Sequence, residues 1–184
     1  METLEEVLRK IKFTEEEIED IKEFVENEID IKELCAKIIY LSEMGLSSRI
    51  MRIIIEENIL FLSTELKEIE AVVNYIKEKG LEEYLENLLE VNPDLISESV
   101  EKLKRNENLL KLMLPEETVK VILRDRIEIL TYNTDYLSKR LAYLVENGLK
   151  EKIETIILSR IEIFDLEDDE IEFEVKELKK KYNI

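Results

Sequence analysis

The feature that most constrains this chain is a segment of about 34 residues that recurs along it. Its clearest copies begin at Met44 ("MGLSSRI"), Lys79 ("KGLEEYL"), Met113 ("MLPEETV") and Asn147 ("NGLKEKI"), at offsets of 35, 34 and 34 residues. A fainter copy, "KFTEEEI", begins at Lys12. A period of this length is typical of helical repeat proteins, in which each unit buries its apolar face against its neighbours.

Each copy contains two stretches in which apolar residues are spaced three and four positions apart. In the third copy the first stretch places Leu81, Leu85, Leu88 and Leu89 on one helical face. This spacing predicts two amphipathic helices per unit, named here helix A and helix B. Three of the B helices are followed by the only glycines of the chain, which predicts left-handed C-terminal caps at Gly45, Gly80 and Gly148.

A six-residue apolar segment, named here the knuckle, separates helix A from helix B in the last four copies. The knuckles read "NILFLS" (58–63), "NPDLIS" (92–97), "RIEILT" (126–131) and "RIEIFD" (160–165). Pro93 argues against a continuous helix at this point, because proline cannot donate the helical hydrogen bond and clashes with the preceding turn. Each knuckle is therefore either one turn of tight helix or a bent connector.

Two units depart from the pattern. In the third, Glu107 occupies an apolar position of helix B and no glycine follows, which predicts a looser or re-registered helix over 104–110. In the fifth, the acidic run "DLEDDE" (165–170) precedes a final amphipathic helix, which we expect to close the stack. Thr14 and Glu17 have the spacing of a capping box at the start of the first unit.

These patterns predict an all-α protein, an α-solenoid of about five helical-pair repeats with one concave and one convex surface. We expect a single helical-repeat domain over residues 1–184, with units at about 12–43, 44–78, 79–112, 113–146 and 147–184. The composition agrees with this prediction, since only three glycines and two prolines interrupt a chain rich in good helix formers.

The repeat resembles that of the mitochondrial transcription termination factor (mTERF) family, which has a Gly-Leu-Ser-like turn, a Pro-x-Leu knuckle and a second helix ending in Leu-x-x-x-Gly. The closest matches are "MGLSSRI" (44–50), "NPDLIS" (92–97) and "IKEKGL" (76–81), and the resemblance covers about residues 12–164. Pro93 reproduces the knuckle proline, whereas Ile59, Ile127 and Ile161 replace it elsewhere. The resemblance implies an arc of helices whose basic concave face holds double-stranded nucleic acid.

The charge of the chain points to another class of partner. The formal net charge is −18, and residues 1–92 carry −13 of it, whereas residues 93–184 carry −5. Such a field repels polyanions and attracts cationic partners. A duplex-binding site would therefore have to concentrate the available lysines and arginines on one surface, because such binding depends on neutralising phosphates.

Six basic residues are candidates for contacts with a partner or with nucleic acid. Arg126 and Arg160 stand at equivalent positions before two knuckles, and the other four belong to B helices. The full set is Lys104, Arg105, Arg126, Lys139, Arg140 and Arg160. The alternative interpretation is that these side chains are solvated partners of the surplus glutamates.

Other candidate features have two interpretations each. Tyr132, Tyr136 and Tyr143 would either contact a ligand or pack in the core. The acidic runs at 15–20 and 165–170 would bind a basic partner or a divalent cation, or form solvated surface, and Cys35 is expected to be a small buried residue. An acidic helical surface that imitates nucleic acid is a further alternative.

The sequence offers little for catalysis. It has no histidine, one cysteine, no glycine-rich phosphate loop and no nucleophile elbow. We therefore expect a non-enzymatic interaction module without cofactor or metal, which binds a protein or peptide, most favourably a basic one, on its concave face. The alternative is an mTERF-like double-stranded nucleic-acid-binding protein with a local basic groove. With no signal peptide and no apolar run of membrane-spanning length, a cytoplasmic protein without membrane contact is expected.

Overall fold

The computed structural model describes residues 3–25 and 30–184, and these residues form helices joined by short turns, with no strand. It forms two compact units, Met1–Val100 and Glu101–Ile184, which are described in turn. Residues 26–29, between the predicted helices A and B of the first repeat, lie outside the described residues.

The helices of the first unit follow the predicted order, except that its first helix precedes the first predicted repeat and was not predicted. They are α1 (Leu4–Lys10), α2 (Glu15–Val25), α3 (Ile31–Glu43), α4 (Ser48–Glu57), α5 (Ile59–Ser63), α6 (Leu66–Glu78) and α7 (Leu85–Val91), with 3₁₀ segments at Glu82–Tyr84 and Pro93–Ser97. The A helices pack side by side, α2 on α4 and α4 on α7, while the B helix α3 packs on the B helix α6. The 3₁₀ segment Pro93–Ser97 packs on α4, α5 and α6, so the knuckle joins the two rows of helices.

The second unit has the same plan. It contains most of α8 (Val100–Met113), followed by α9 (Glu116–Asp125), α10 (Thr134–Glu146), α11 (Ile153–Arg160) and α12 (Asp168–Tyr182), with 3₁₀ segments at Ile127–Thr131, Lys150–Lys152 and Ile161–Phe164. The A helices α9 and α11 pack on each other, and the 3₁₀ segment Ile161–Phe164 packs on α11.

The knuckles are single turns of tight helix, as one of the two sequence predictions had it. Residues 93–97, 127–131 and 161–164 form 3₁₀ helix, and α5 is a five-residue helix at the corresponding place. Pro93 is the first residue of its 3₁₀ segment, where its missing N–H leaves no helical hydrogen bond unmade. The apolar side chains Leu95, Ile96, Ile129 and Leu130 are fully buried there.

The predicted helix ends are also present. Gly80 has a φ of +68°, the left-handed conformation of a C-terminal cap. The Thr14 backbone N–H donates to the Glu17 carboxylate at 2.7 Å, and the Glu17 N–H donates to the Thr14 hydroxyl at 3.3 Å, which completes the capping box.

The expectation for residues 104–110 was wrong. Helix α8 is continuous over 14 residues, and Glu107 is buried in it. The physical reason is the Lys111 ammonium one turn later, 2.7 Å from the Glu107 carboxylate, which pairs with the buried charge. An acidic residue is thereby accommodated at a position that the repeat otherwise fills with an apolar one.

Within the described residues, none of the helices has both the length and the apolar content that crossing a bilayer requires.

Candidate interaction surfaces

A buried donor on helix B contacts the following knuckle in the first unit. Lys37 of α3 is fully buried, and its ammonium donates to the carbonyl oxygens of Phe61, Leu62 and Thr64 at 2.8, 3.0 and 2.9 Å. These carbonyls lie at the C-terminal end of α5, where a helix leaves its last acceptors without helical partners. Burial lowers the pKa of Lys37, and the carboxylates of Glu33 and Asp30 oppose that effect.

In the second unit, side chains at the same position of helix B also donate to backbone carbonyls at the end of the following knuckle. Asn106 and Arg140 are, like Lys37, the seventh residues of their helices. The Asn106 amide donates to the carbonyls of Leu130 and Tyr132, both at 2.8 Å, and the Arg140 guanidinium donates to the carbonyl of Leu166. Position for position, Thr64, Tyr132 and Leu166 are equivalent acceptors in the 34-residue register. In α6 this position is Val72, which has no donor.

This arrangement removes Arg140 from the predicted row of exposed cations. Its side chain is only 7% exposed, and it also contacts the Tyr136 hydroxyl and lies 2.7 Å from the Asp168 carboxylate. A guanidinium held by these groups is a structural donor between α10 and the start of α12, and it presents little charge to a partner.

Arg126 and Arg160 are half-buried and engaged within the second unit. The two residues adopt almost the same backbone conformation, with φ and ψ of −148° and 46° for Arg126 and −150° and 48° for Arg160. The Arg126 guanidinium donates to the Leu158 carbonyl at 3.1 Å and lies 3.5 Å from the Glu128 carboxylate. The two arginines therefore occupy structurally equivalent positions. Through its hydrogen bond to the Leu158 carbonyl, Arg126 connects its own repeat to the next one.

Arg160 has two carboxylate partners. Its guanidinium lies 3.3 Å from the Glu162 carboxylate and 2.9 Å from the Glu174 carboxylate, which belongs to α12. The charge of Arg160 is thus neutralised inside the second unit.

The other three candidates are exposed. Lys104 and Arg105 on α8 and Lys139 on α10 have no ion-pair partner among the described residues. Arg105 and Lys139 are each the sixth residue of a B helix, so they occupy equivalent positions of the repeat. Of the six cations of the predicted stripe, these three are exposed and without an ion pair within the described part of the chain.

The strongest charge concentration lies on the row of A helices in the first unit. Helices α2, α4 and α7 and the turn Glu82–Tyr84, named here the acidic A face, carry 12 acidic and three basic side chains. The B helices α3 and α6 of the same unit carry five acidic and four basic side chains. The negative charge is therefore concentrated on one side of the unit.

The arginines of the acidic A face are paired with its own carboxylates. Arg52 lies 2.7 Å from Glu56 and 3.4 Å from both Glu17 and Asp20, and Arg49 lies 2.7 Å from Glu90. The hydrogen bonds from Thr14, aided by Arg52, lower the pKa of Glu17, and Arg49 lowers that of Glu90. The acidic A face has 12 carboxylates and only three cations, Lys22, Arg49 and Arg52, so it remains strongly negative at neutral pH.

The three tyrosines of the fourth predicted repeat are partly buried, and the hydroxyls of Tyr132 and Tyr136 are hydrogen-bonded. The Tyr132 hydroxyl donates to the Asp165 carboxylate at 2.7 Å, and its ring meets Phe164 edge to face. Burial, followed by the hydrogen bond to Asp165, raises the pKa of Tyr132. The hydroxyl of Tyr136 bonds to the Leu166 carbonyl, whereas Tyr143 lines a groove of about 450 Å³ between α10 and α12. Cys35 is buried, as expected.

The all-helical repeat architecture agrees with one known family. The model of the mTERF family matches residues 1–183. The chain belongs to the mTERF family. No curated protein matches it. mTERF proteins are helical-repeat solenoids that generally bind nucleic acid, so the all-α repeat fold is confirmed, while the number of repeats stays a prediction.

The repeated donors were missed from the sequence although a signal for them exists. Lys37, Asn106 and Arg140 share one register of the mTERF repeat, each six residues after the start of a B helix. A polar residue that recurs at one helical position, next to the apolar stripe, indicates a structural contact that several repeats share.

Proposed function

We propose that this mTERF-family chain is a non-enzymatic interaction protein whose acidic A face binds a cationic segment of a protein partner. The observation that carries the proposal is the concentration of 12 carboxylates against three paired cations on one row of helices. A surface of one sign raises the local concentration of an oppositely charged partner and accelerates its association.

The distribution of charge between the two units supports this assignment. Met1–Val100 carries 11 basic and 26 acidic residues, a net charge of −15, whereas the second unit carries 16 and 19, a net charge of −3. The first unit is therefore the one suited to a cationic partner.

Binding of a Lys-Ser repeat peptide, measured by fluorescence anisotropy, tests the proposal. The variant Glu82→Lys with Glu83→Lys changes two exposed residues of the acidic A face. Its matched control, Glu43→Lys with Glu78→Lys, makes the same change of net charge on the ends of α3 and α6. We expect the first variant to weaken binding by about tenfold and the control by much less, because close charges dominate over screened distant ones. Equal weakening in both variants would show a response to net charge alone and would overturn the proposal.

A second candidate function is nucleic-acid binding by the second unit. It is favoured by membership of the mTERF family and by the three exposed cations Lys104, Arg105 and Lys139. With three phosphate contacts, the logarithm of the affinity for duplex DNA would fall with the logarithm of the salt concentration with a slope of about −3. We expect weak binding that disappears near physiological salt.

The triple variant Lys104→Glu, Arg105→Glu and Lys139→Glu tests this candidate. These side chains have no structural partner among the described residues, so the variant should keep its helical circular dichroism. Sub-micromolar affinity of the parent for duplex DNA at about 150 mM salt, lost in the triple variant, would place nucleic-acid binding first.

A further inference from the structure

An apolar surface lies beside the acidic A face in the first unit. Ile59 and Leu60 of α5 are 74% and 59% exposed, and Val91, the last residue of α7, is 69% exposed. These three side chains are named here the α5 patch. Single exposed apolar residues are common on protein surfaces, so the α5 patch needs further support before a role is assigned to it.

The repeat itself provides that support at the position of Leu60. The equivalent residues in the other three knuckles are all acidic: Asp94, Glu128 and Glu162. Three knuckles thus have a carboxylate at the position where the knuckle of α5 has the exposed Leu60. The fold therefore does not require an apolar residue at this position.

At the position of Val91, too, an apolar residue stands where the other repeats have a polar one. The equivalent residues of the neighbouring repeats are polar: Glu57, Asp125 and Ser159. Ile59 differs only in degree, because its equivalent Ile127 is 2% exposed whereas Pro93 and Ile161 are partly exposed. At the positions of Leu60 and Val91, therefore, this part of the first unit exposes apolar side chains where the other repeats have polar ones.

The three residues are held near one another by a side chain between two repeats. The Asn58 amide donates to the Pro93 carbonyl and to the Ser97 hydroxyl, both at 2.9 Å. Ile59 and Leu60 are within two residues of Asn58, and Val91 is within two residues of Pro93. Because Asn58 is itself buried and also accepts the Phe61 N–H at 3.0 Å, this junction is well fixed.

Carboxylates lie next to the α5 patch in the sequence on both sides. Glu56 and Glu57 precede it at the end of α4, and Glu90 and Asp94 flank Val91, all four being exposed. Glu57 and Asp94 have no ion-pair partner among the described residues. The net charge of −15 on the first unit opposes the approach of the same surface of a second copy, so the charge selects a cationic occupant.

We propose that the α5 patch is the apolar anchor site for the cationic protein segment, which presents aliphatic side chains between lysines or arginines. This inference rests on the proposed function and specifies its partner. A few well-buried contacts near the centre of an interface contribute most of the affinity, while the surrounding charges mainly set specificity and association rate.

The test compares two peptides of equal charge. One is an amphipathic Lys-Leu helix, and in its companion every leucine is replaced by serine. The protein variant is Leu60→Gln with Val91→Asn, which removes apolar surface without changing charge. Its control is Leu112→Gln, which changes an 81% exposed leucine of α8.

We expect the parent and Leu112→Gln to bind the leucine peptide about tenfold or more tightly than the serine peptide, from the apolar area removed from water. In the double variant that preference should vanish, while the affinity for the serine peptide and the helical circular dichroism stay unchanged.

The outcomes separate this inference from the proposed function. Binding of both peptides to the parent with equal affinity would overturn the anchor site and leave the proposed function standing. Binding of neither peptide would overturn both. A parent that is dimeric by analytical ultracentrifugation, and that dissociates in the double variant, would assign the α5 patch to a second copy of the chain and so overturn the inference.

Discussion

Replacing Lys37 by methionine tests whether the buried donor stabilises the fold. The change keeps the length and apolar stem of the side chain but removes the ammonium that donates to three carbonyls. The carbonyls of Phe61 and Thr64 are buried and would lose their side-chain donor, and that of Leu62 is partly buried. Water cannot replace the ammonium as the donor to the two buried carbonyls unless the knuckle rearranges.

The expected magnitude follows from two opposing terms. Two buried carbonyls left without a donor cost about 1–3 kcal/mol each. The methionine relieves part of the penalty for burying a charge, and replacing buried ionic groups by apolar ones is neutral or stabilising in some proteins. The Lys37 ammonium donates to three carbonyls at 3.0 Å or less. We therefore expect the cost of the unpaired carbonyls to exceed the gain from removing the buried charge. The free energy of unfolding should fall by about 2–3 kcal/mol.

Urea unfolding followed by circular dichroism measures this change. With a slope of about 2 kcal/mol per molar urea, the midpoint of the transition that includes the first unit should decrease by about 1–1.5 M. Lys37→Gln, which keeps two N–H donors as Asn106 does, should fall between the parent and Lys37→Met. The control Lys32→Met changes an exposed lysine of the same helix and should shift stability by about 0.5 kcal/mol or less. A Lys37→Met protein as stable as the parent would refute the reasoning and show that the charge costs as much as its hydrogen bonds contribute.

Two further predictions concern single residues. Gly80→Val should lower the free energy of unfolding in a urea melt by about 1–2 kcal/mol, because a Cβ at Gly80 meets no atom within 4 Å and the positive φ alone is strained. Gly80→Asn, which tolerates that conformation better, should lose less. For Tyr132 the folded pKa is raised, so above pH 10 the unfolded chain releases a proton that the folded chain retains, and stability falls as pH rises. Urea midpoints measured across the alkaline range should fall less steeply for Tyr132→Phe, and identical slopes would contradict this assignment.

The sequence predicted the helices and knuckles well because both follow from periodicity. The 34-residue offsets placed the B helices α3, α6 and α10, and Pro93 indicated a break in the helix at a segment that forms 3₁₀ helix. Periodicity failed at Glu107, where it treats a charge at an apolar position as a defect, whereas the chain neutralises it with Lys111. The spacing of apolar residues does not take into account an ion pair between two side chains one helical turn apart.

The candidate cations were harder to predict because equivalence in a repeat has two possible causes. Arg126 and Arg160 share a position and a backbone conformation, which is what a row of ligand contacts or a row of structural contacts would equally produce. The decisive observation is the acceptor that each side chain contacts: for Arg126 the Leu158 carbonyl, which belongs to the next repeat, and for Arg160 the Glu174 carboxylate of α12. Such contacts depend on packing between repeats, which the spacing within one repeat does not describe.

The use of cations inside the fold has a consequence for binding. In the first unit Lys37 is buried, and Arg49 and Arg52 pair with only four of the 26 carboxylates, those of Glu90, Glu17, Asp20 and Glu56. The remaining negative charge repels itself and lowers the stability of the folded unit. A cationic partner that binds the acidic A face of the folded chain more tightly than it binds the unfolded chain would relieve that repulsion and raise the apparent stability by mass action. Binding and stability of this mTERF-family chain should therefore be coupled, most strongly in its acidic first unit.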